Sequence, residues 1–305
     1  MKQINQPSII SWLLLFSLAI IWGVNFLFIK IAVIDVGPIT NVFCRLFMAS
    51  IILYVCMKYT GNKIILTRTY LTFYIAIGAL GSAIPFYLIS DAERIIDAGI
   101  AGVLMSPMPL ITLALSAIIL KDQNINIIKV LSFILAALGL VVLFGFENLS
   151  KLGGNNRVEF FSQIFVLLAA ICYGVNSIVS KLVPKINFIS LATGTTMAST
   201  IIISPFAFFY EPFWLESFTS SSTIAIVIQG LFATAIANLL FFKIIELQGP
   251  VFLSLINFMI PLIAYFSGVL FLNEIIRVNV LVSLAMILFA PVSYTHLRAH
   301  ETLPY

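Results

Sequence analysis

The chain has 305 residues, 61% of them hydrophobic and only 9% charged, with a net charge of +4 and a mean hydropathy of +1.13. A soluble domain carries roughly 25% charged residues, so this composition cannot coat a water-soluble particle and predicts an integral membrane protein. The basic residues are scattered, which excludes a nucleic-acid surface, and Cys44, Cys56 and Cys172 lie in apolar runs without ligand-like spacing. No disulfide, metal site or cofactor is expected.

The first residues, MKQINQPSII, lead into an apolar run that continues to about Val33. That is too long for a signal-peptide core and lacks a cleavage site, so it predicts a retained membrane helix. A spanning helix needs about 20 apolar residues. Ten candidate runs follow one another, at about 9–34, 38–57, 70–90, 97–120, 125–146, 160–182, 187–210, 223–245, 249–272 and from about 276. Short polar connections such as KYTGNKIILTR and LKDQNIN separate them. The longest, ENLSKLGGNNRVE at 147–159, reads as a linker between a first unit at 1–146 and a second at 160–291. With a cytoplasmic N-terminus, the inner connections hold Lys2, Lys58, Lys63, Arg68, Lys121, Lys129, Lys181, Lys185 and Lys243. These outnumber Lys30, Arg94, Lys151, Arg157 and Arg277 outside, which predicts that orientation in the cell inner membrane.

The two units repeat each other. IIWGVNFLFIK at 20–30 returns as ICYGVNSIVSK at 171–181, with the aromatic, Gly-Val-Asn and Lys in the same places. Met48-Ala-Ser50 resembles Met197-Ala-Ser199, and Pro109 and Asp122 match Pro261 and Glu274 at an offset of 152. Five helices per unit force the second copy to insert upside down. The expected fold is an all-α integral membrane protein of ten transmembrane helices in two inverted five-helix repeats, the architecture of secondary transporters. The tenth helix is expected to be truncated. Its apolar run, 278–291, reaches about 21 Å at the helical rise, short of the roughly 30 Å hydrocarbon core. The following VSYTHLRAHETLPY resembles a translated sequencing-library adapter, so 292–305 reads as a non-native tail, and His296 and His300 are not site candidates.

No histidine lies in a span, and no His-Glu-x-x-His, paired intramembrane aspartate motif or phosphate-binding Gly-rich loop is present, which sets enzymatic chemistry aside. Polar residues inside spans are therefore read as transport residues or packing residues. Arg45, about 10 Å into the second run, is either a cavity residue for an anionic group or an arginine that pins helices. Lys30 and Lys181 read as snorkelling anchors at opposite boundaries. Asn25 and Asn176 cannot reach the interface; they either bond across the first and sixth helices, where glycine allows close approach, or line a central cavity with Trp22 and Tyr173 as aromatic walls. Asn238 and Asn257 add polar lining. Pro109 and Pro261, at matching depth, bend their helices as hinges or as static kinks. Asp91, Glu93 and Arg94 read as a solvated cluster in a connection. Asp97 is the one acid to test for coupling.

WGVNFLFIK followed by R-L-F-M-A-S-I-I-L, and the proline with Leu-x-Asp/Glu closing the fourth and ninth helices, resembles EamA-type members of the drug/metabolite transporter superfamily. The resemblance covers the chain to about 291 and departs at Thr196, which stands where the repeat would place a second arginine. It implies ten helices, cytoplasmic termini and efflux of small metabolites, amino acids among them. The expected function is thus export of a small-molecule substrate by alternating access in the lipid bilayer, as a monomer or homodimer. A nucleotide-sugar or multidrug carrier, or a non-transporting membrane protein, is the alternative.

Overall fold

A computed structural model describes residues 8–115, 157–253 and 256–286, with six single helical positions between 131 and 142. Lipid offers the backbone no hydrogen-bond partner, so an apolar chain satisfies its own amides in helices, and helices with their turns make up the described residues. Helix α1 (Ile9–Asp35) starts at Ser8, whose side chain accepts from the Ser11 amide. After Val36 and Gly37, α2 (Pro38–Tyr59) opens on a proline, where the missing N–H is no loss. The third span runs unbroken as α3 (Arg68–Gly78), a π-helical turn (Ala79–Ala83) and α4 (Ile84–Ala92). A connection at 93–97 leads to α5 (Ala98–Leu104) and α6 (Met108–Leu115).

In the second half, α7 (Arg157–Lys181) and α8 (Phe188–Phe209) precede a span built like the third. That span is α9 (Ser220–Ile228), a π-helical stretch (Gln229–Ile236) and α10 (Ala237–Leu253). Thr219 and Ser222 form a reciprocal cap at its start. Helix α11 (Ile256–Leu272) contains Pro261, and α12 covers 278–286.

Among the described residues, six helices are long and apolar enough to cross a membrane, and Met259–Leu272 is a shorter apolar helix. The fifth run for the most part, Asp122, residues 147–156 of the linker and everything from 287 on, including the tail, lie outside the described residues. Two expectations shift. The break in the fourth run falls at 105–107, leaving Pro109 in the first turn of α6, where proline is tolerated. The expected connection at 246–248 is helical to Leu253, since Glu, Leu and Gln are strong helix formers.

Packing crosses between the halves. Helix α1 lies chiefly on α11, α9 and α10, whereas α7 lies on α4 and α6; α2 lies on α8 and the second π stretch. The first and sixth spans therefore have their main contacts with helices of the opposite half rather than with each other.

Candidate functional site

The repeated motif explains that crossing residue by residue. A Cβ on Gly23 would come within 2.6 Å of Ile263 Cβ and Cγ2 on α11, and one on Gly174 within 2.9 Å of Ile111 Cγ2 on α6. Ile111 and Ile263 are 152 positions apart, so the same contact occurs twice with the halves exchanged. Glycine is required because each helix pair closes over that point. The aromatic and the asparagine meet π-helical turns. Trp22 Nε1 donates to the Ala233 carbonyl at 3.3 Å, in the second π stretch. The Asn176 amide lies against Gly81 of the first. Asn25 is 9% exposed, and its Oδ1, like that of Asn176, is buried with no hydrogen-bond partner. An orphaned buried amide oxygen is uncommon. Tyr173 packs against the cluster built on Phe26, Ile100 and Val166.

Arg45 is 1% exposed and stands at the centre of a polar network. Its Nε and Nη2 donate to Thr234 Oγ1 at 3.2 and 3.1 Å, and Nη1 donates to Gln229 Oε1 at 3.1 Å. Gln229 Nε2 donates to the Phe28 carbonyl and to Asn41 Oδ1, both at 3.1 Å, and Asn41 Nδ2 donates to Ser90 Oγ at 3.1 Å. The guanidinium lies 3.9 Å from the Phe86 ring centroid, a cation–π contact strengthened by desolvation. Arg45 joins three elements, α2, α4 and the second π stretch, and Gln229 extends the network to α1. The packing reading of Arg45 thus has its bonds, while Tyr173 and Glu93 lie within its electrostatic reach.

The 93–97 connection departs from its expected solvated character. Glu93 is 0% exposed, and both carboxyl oxygens lack a hydrogen-bond partner. Lys30 is not a snorkelling anchor. Its Nζ turns inward and donates to the Glu93 and Ile96 carbonyls at 2.5 and 2.8 Å, because the chain reversal after α4 leaves those carbonyls without helical partners. Lys181 is exposed, as an anchor should be, and Arg94 pairs at 3.9 Å with Asp91 on the surface. Glu274 caps α5 from the other half, accepting from the Ala98 and Gly99 amides at 2.7 and 3.0 Å. Glu211 does the same for the Thr40 amide at 2.7 Å in the first turn of α2. Caps of this kind are worth about 1 kcal/mol each.

Burial pushes the Glu93 carboxyl well above its usual 4.5, with Lys30 and Arg45 pulling it down and Glu274 pushing it up. A carboxyl that titrates higher folded than unfolded keeps its proton longer in the folded protein. Its stabilising effect is complete below pH 4.5 and is lost as pH rises through the folded value. The unfolding midpoint in detergent is therefore expected to fall as pH rises across that window, and Glu93→Gln to flatten the slope. Equal slopes in wild type and variant would remove Glu93 as the cause.

Against this geometry the chain was compared with known proteins. Residues 9–145 and 160–292 each match the EamA-like transporter family. The chain belongs to that family. An uncharacterized transporter, YoaV of Bacillus subtilis, is 24% identical over 272 residues, covering 89% of this chain and 91% of its own. An uncharacterized transporter of Archaeoglobus fulgidus is 25% identical, covering 87% and 91%. A WAT1-related chloroplastic protein of Arabidopsis thaliana is 25% identical over 94% of this chain and 69% of its own. One crystal structure superposes with a TM-score of 0.68 at 17% identity, covering 96% of this chain and 99% of that one, which speaks to fold alone. This EamA-like protein is a multi-pass membrane transporter and not an enzyme.

The remaining expected site residues of this EamA-like chain are spread out. Asn238 Nδ2 donates to Thr196 Oγ1 at 3.4 Å, so the residue in place of a second arginine still holds a polar contact. Asn257 is half-buried on α11, and Pro261 is buried within that helix. Asp97 is partly exposed and bound to Arg277 at 3.2 Å, an ion pair across the halves at the α5 start. Gln229, Thr234, Asn41 and Glu93 were not anticipated. Gln229 carried a readable signal, a lone amide in the apolar run IAIVIQGLFA, and Asn41 stands one helical turn before Arg45.

Proposed function

We propose that the protein exports a small polar metabolite, an amino acid being the leading class, by alternating access between ten helices in two inverted five-helix repeats. The observation that carries this reading is the pair of repeat-related asparagines, Asn25 and Asn176, each with a buried, unpartnered Oδ1, Asn176 lying against the first π-helical turn. Two acceptors presented from opposite halves suit a substrate rich in donors, such as an ammonium or hydroxyl group. In this reading Trp22 and Tyr173 act as aromatic walls, Asn238 and Asn257 add polar lining, and Pro261 within α11 serves the bending, with Pro109 opening α6 just past the break at 105–107. The exchanged contacts Gly23–Ile263 and Gly174–Ile111 support the inverted relation. Arg45 belongs to the site as its electrostatic floor, attracting a carboxylate while its fork holds α2 to the second π stretch. The basic connections favour a cytoplasmic N-terminus in the inner membrane.

The test is flux of radiolabelled L-amino acids and related metabolites in proteoliposomes. Asn25→Ala and Asn176→Ala are each expected to raise KM roughly fivefold, the effect of one lost hydrogen bond of about 1 kcal/mol, without reducing membrane-inserted protein. Unchanged flux in both variants would remove the pair from the site.

A further inference from the structure

The transport reading leaves Glu93 without a task, yet among the described residues it is the carboxylate with both oxygens buried and unpartnered. A carboxyl taken fully out of water without a partner is costly when ionised, by far more than a neutral polar group. Here neither oxygen is bonded, although two cations are near. Both cations are engaged elsewhere. Lys30, from α1, spends its bonds on the Glu93 and Ile96 carbonyls; Arg45, from α2, spends its fork on Gln229 and Thr234. Glu274, from the connection after α11, also faces Glu93 and is itself tied to the α5 amides. Tyr173 of α7 lies near Arg45, and on the flanking chain Asp91 pairs with Arg94 and Asp97 with Arg277.

We propose that Glu93 is a proton-binding site that couples transport to proton movement. In the state described, Glu93 is a neutral carboxylic acid, which accounts for two buried oxygens without donors. When the proton leaves to water reaching the site from the open face, the carboxylate attracts the ammonium of Lys30 on α1, which already sits on the Glu93 main-chain carbonyl. Lys30 then releases the Glu93 and Ile96 carbonyls. That turn leads directly into Asp97 and Ala98, where Arg277 and Glu274 of the other half are attached. Loss of the proton thus loosens a contact between the halves, and its return re-forms that contact. The Asp97–Arg277 pair is the fastening and Glu93 the trigger.

This coupling rests on the metabolite-transport reading, so two independent measurements are needed. The first needs no substrate. Infrared spectra of purified protein at about pH 7, where an ordinary glutamate (pKa about 4.3) is ionised, are expected to show a protonated-carboxyl band that Glu93→Gln lacks. Glu93→Asp keeps an acid and is expected to keep a band, shifted in frequency; it also serves should Glu93→Gln fail to insert. No such band in wild type, or an identical band in Glu93→Gln, would overturn the proton site. The second uses proteoliposomes and a panel of radiolabelled L-amino acids. Wild type is expected to accumulate label under an imposed pH gradient. Glu93→Gln is expected to fall to the level of protein-free liposomes under the gradient, while still exchanging internal for external label at the wild-type rate. Gradient-driven accumulation by Glu93→Gln overturns the coupling. A wild type that moves no label in either mode refutes the metabolite reading and the coupling with it, while the infrared comparison decides the proton site by itself.

Discussion

Arg45→Ala is expected to lower unfolding stability in detergent by about 3–5 kcal/mol, the range for deleting a large, fully buried and bonded side chain. The truncation empties the space against Phe86, removes both donors to Thr234 Oγ1 and leaves Gln229 Oε1 only the longer bond from Asn41 Nδ2 at 3.4 Å. Because Arg45 ties α2 to α4 and to the second π stretch, the loss is felt in helix arrangement as well as in local packing. Lysine restores charge but not the fork, so Arg45→Lys recovers only part of the stability. Methionine separates the two roles of this residue. It fills the volume without charge, and a buried charge replaced by an apolar group of similar size is often tolerated. If Arg45→Met is as stable as wild type yet moves no substrate, the guanidinium acts on the substrate. If it is stable and active, Arg45 is a helix fastener and leaves the site.

Gly23→Ala carries the second large effect. Its new methyl would sit 2.6 Å from both Ile263 Cβ and Cγ2, and 3.3 Å from the Ile260 carbonyl oxygen. Neither Ile263 atom is the loose end of a long side chain, so α1 must withdraw from α11, its main packing partner. Overpacking of this kind costs about 1–3 kcal/mol, and the withdrawal also carries Trp22 away from the Ala233 carbonyl. The check is a double substitution, with thermal unfolding and flux measured side by side. Adding Ile263→Ala is expected to recover most of the loss, because it removes the opposing branch. No recovery would place the damage elsewhere than the α1–α11 contact. Gly174→Ala with Ile111→Ala offers the mirrored pair, with a milder starting clash at 2.9 Å.

Much of this was legible in the sequence because the bilayer imposes a strong pattern: long apolar runs mark spans, and polar interruptions inside them stand out. The doubled Gly-Val-Asn, the family resemblance and the burial of Asn25 all follow from that contrast. Residues in connections carry no such signal. DAERIID reads as solvated, and only the folding of α1 and α7 over it makes Glu93 buried and turns Lys30 from the surface. Nor does spacing on a helical wheel link Gln229 to Thr234. At 3.6 residues per turn, positions five apart face directions about 140° apart.

They meet Arg45 together because the helix there is wound with i→i+5 bonds, and Thr234 Oγ1 accordingly donates to the Gln229 carbonyl at 2.9 Å, five residues back. Rewound to ordinary pitch, the same segment would leave the guanidinium one partner in place of two. Arg45 is in that sense a gauge of pitch. A single sequence, tightened or slackened by one residue per turn, presents two different surfaces to its neighbour without any side chain leaving the membrane.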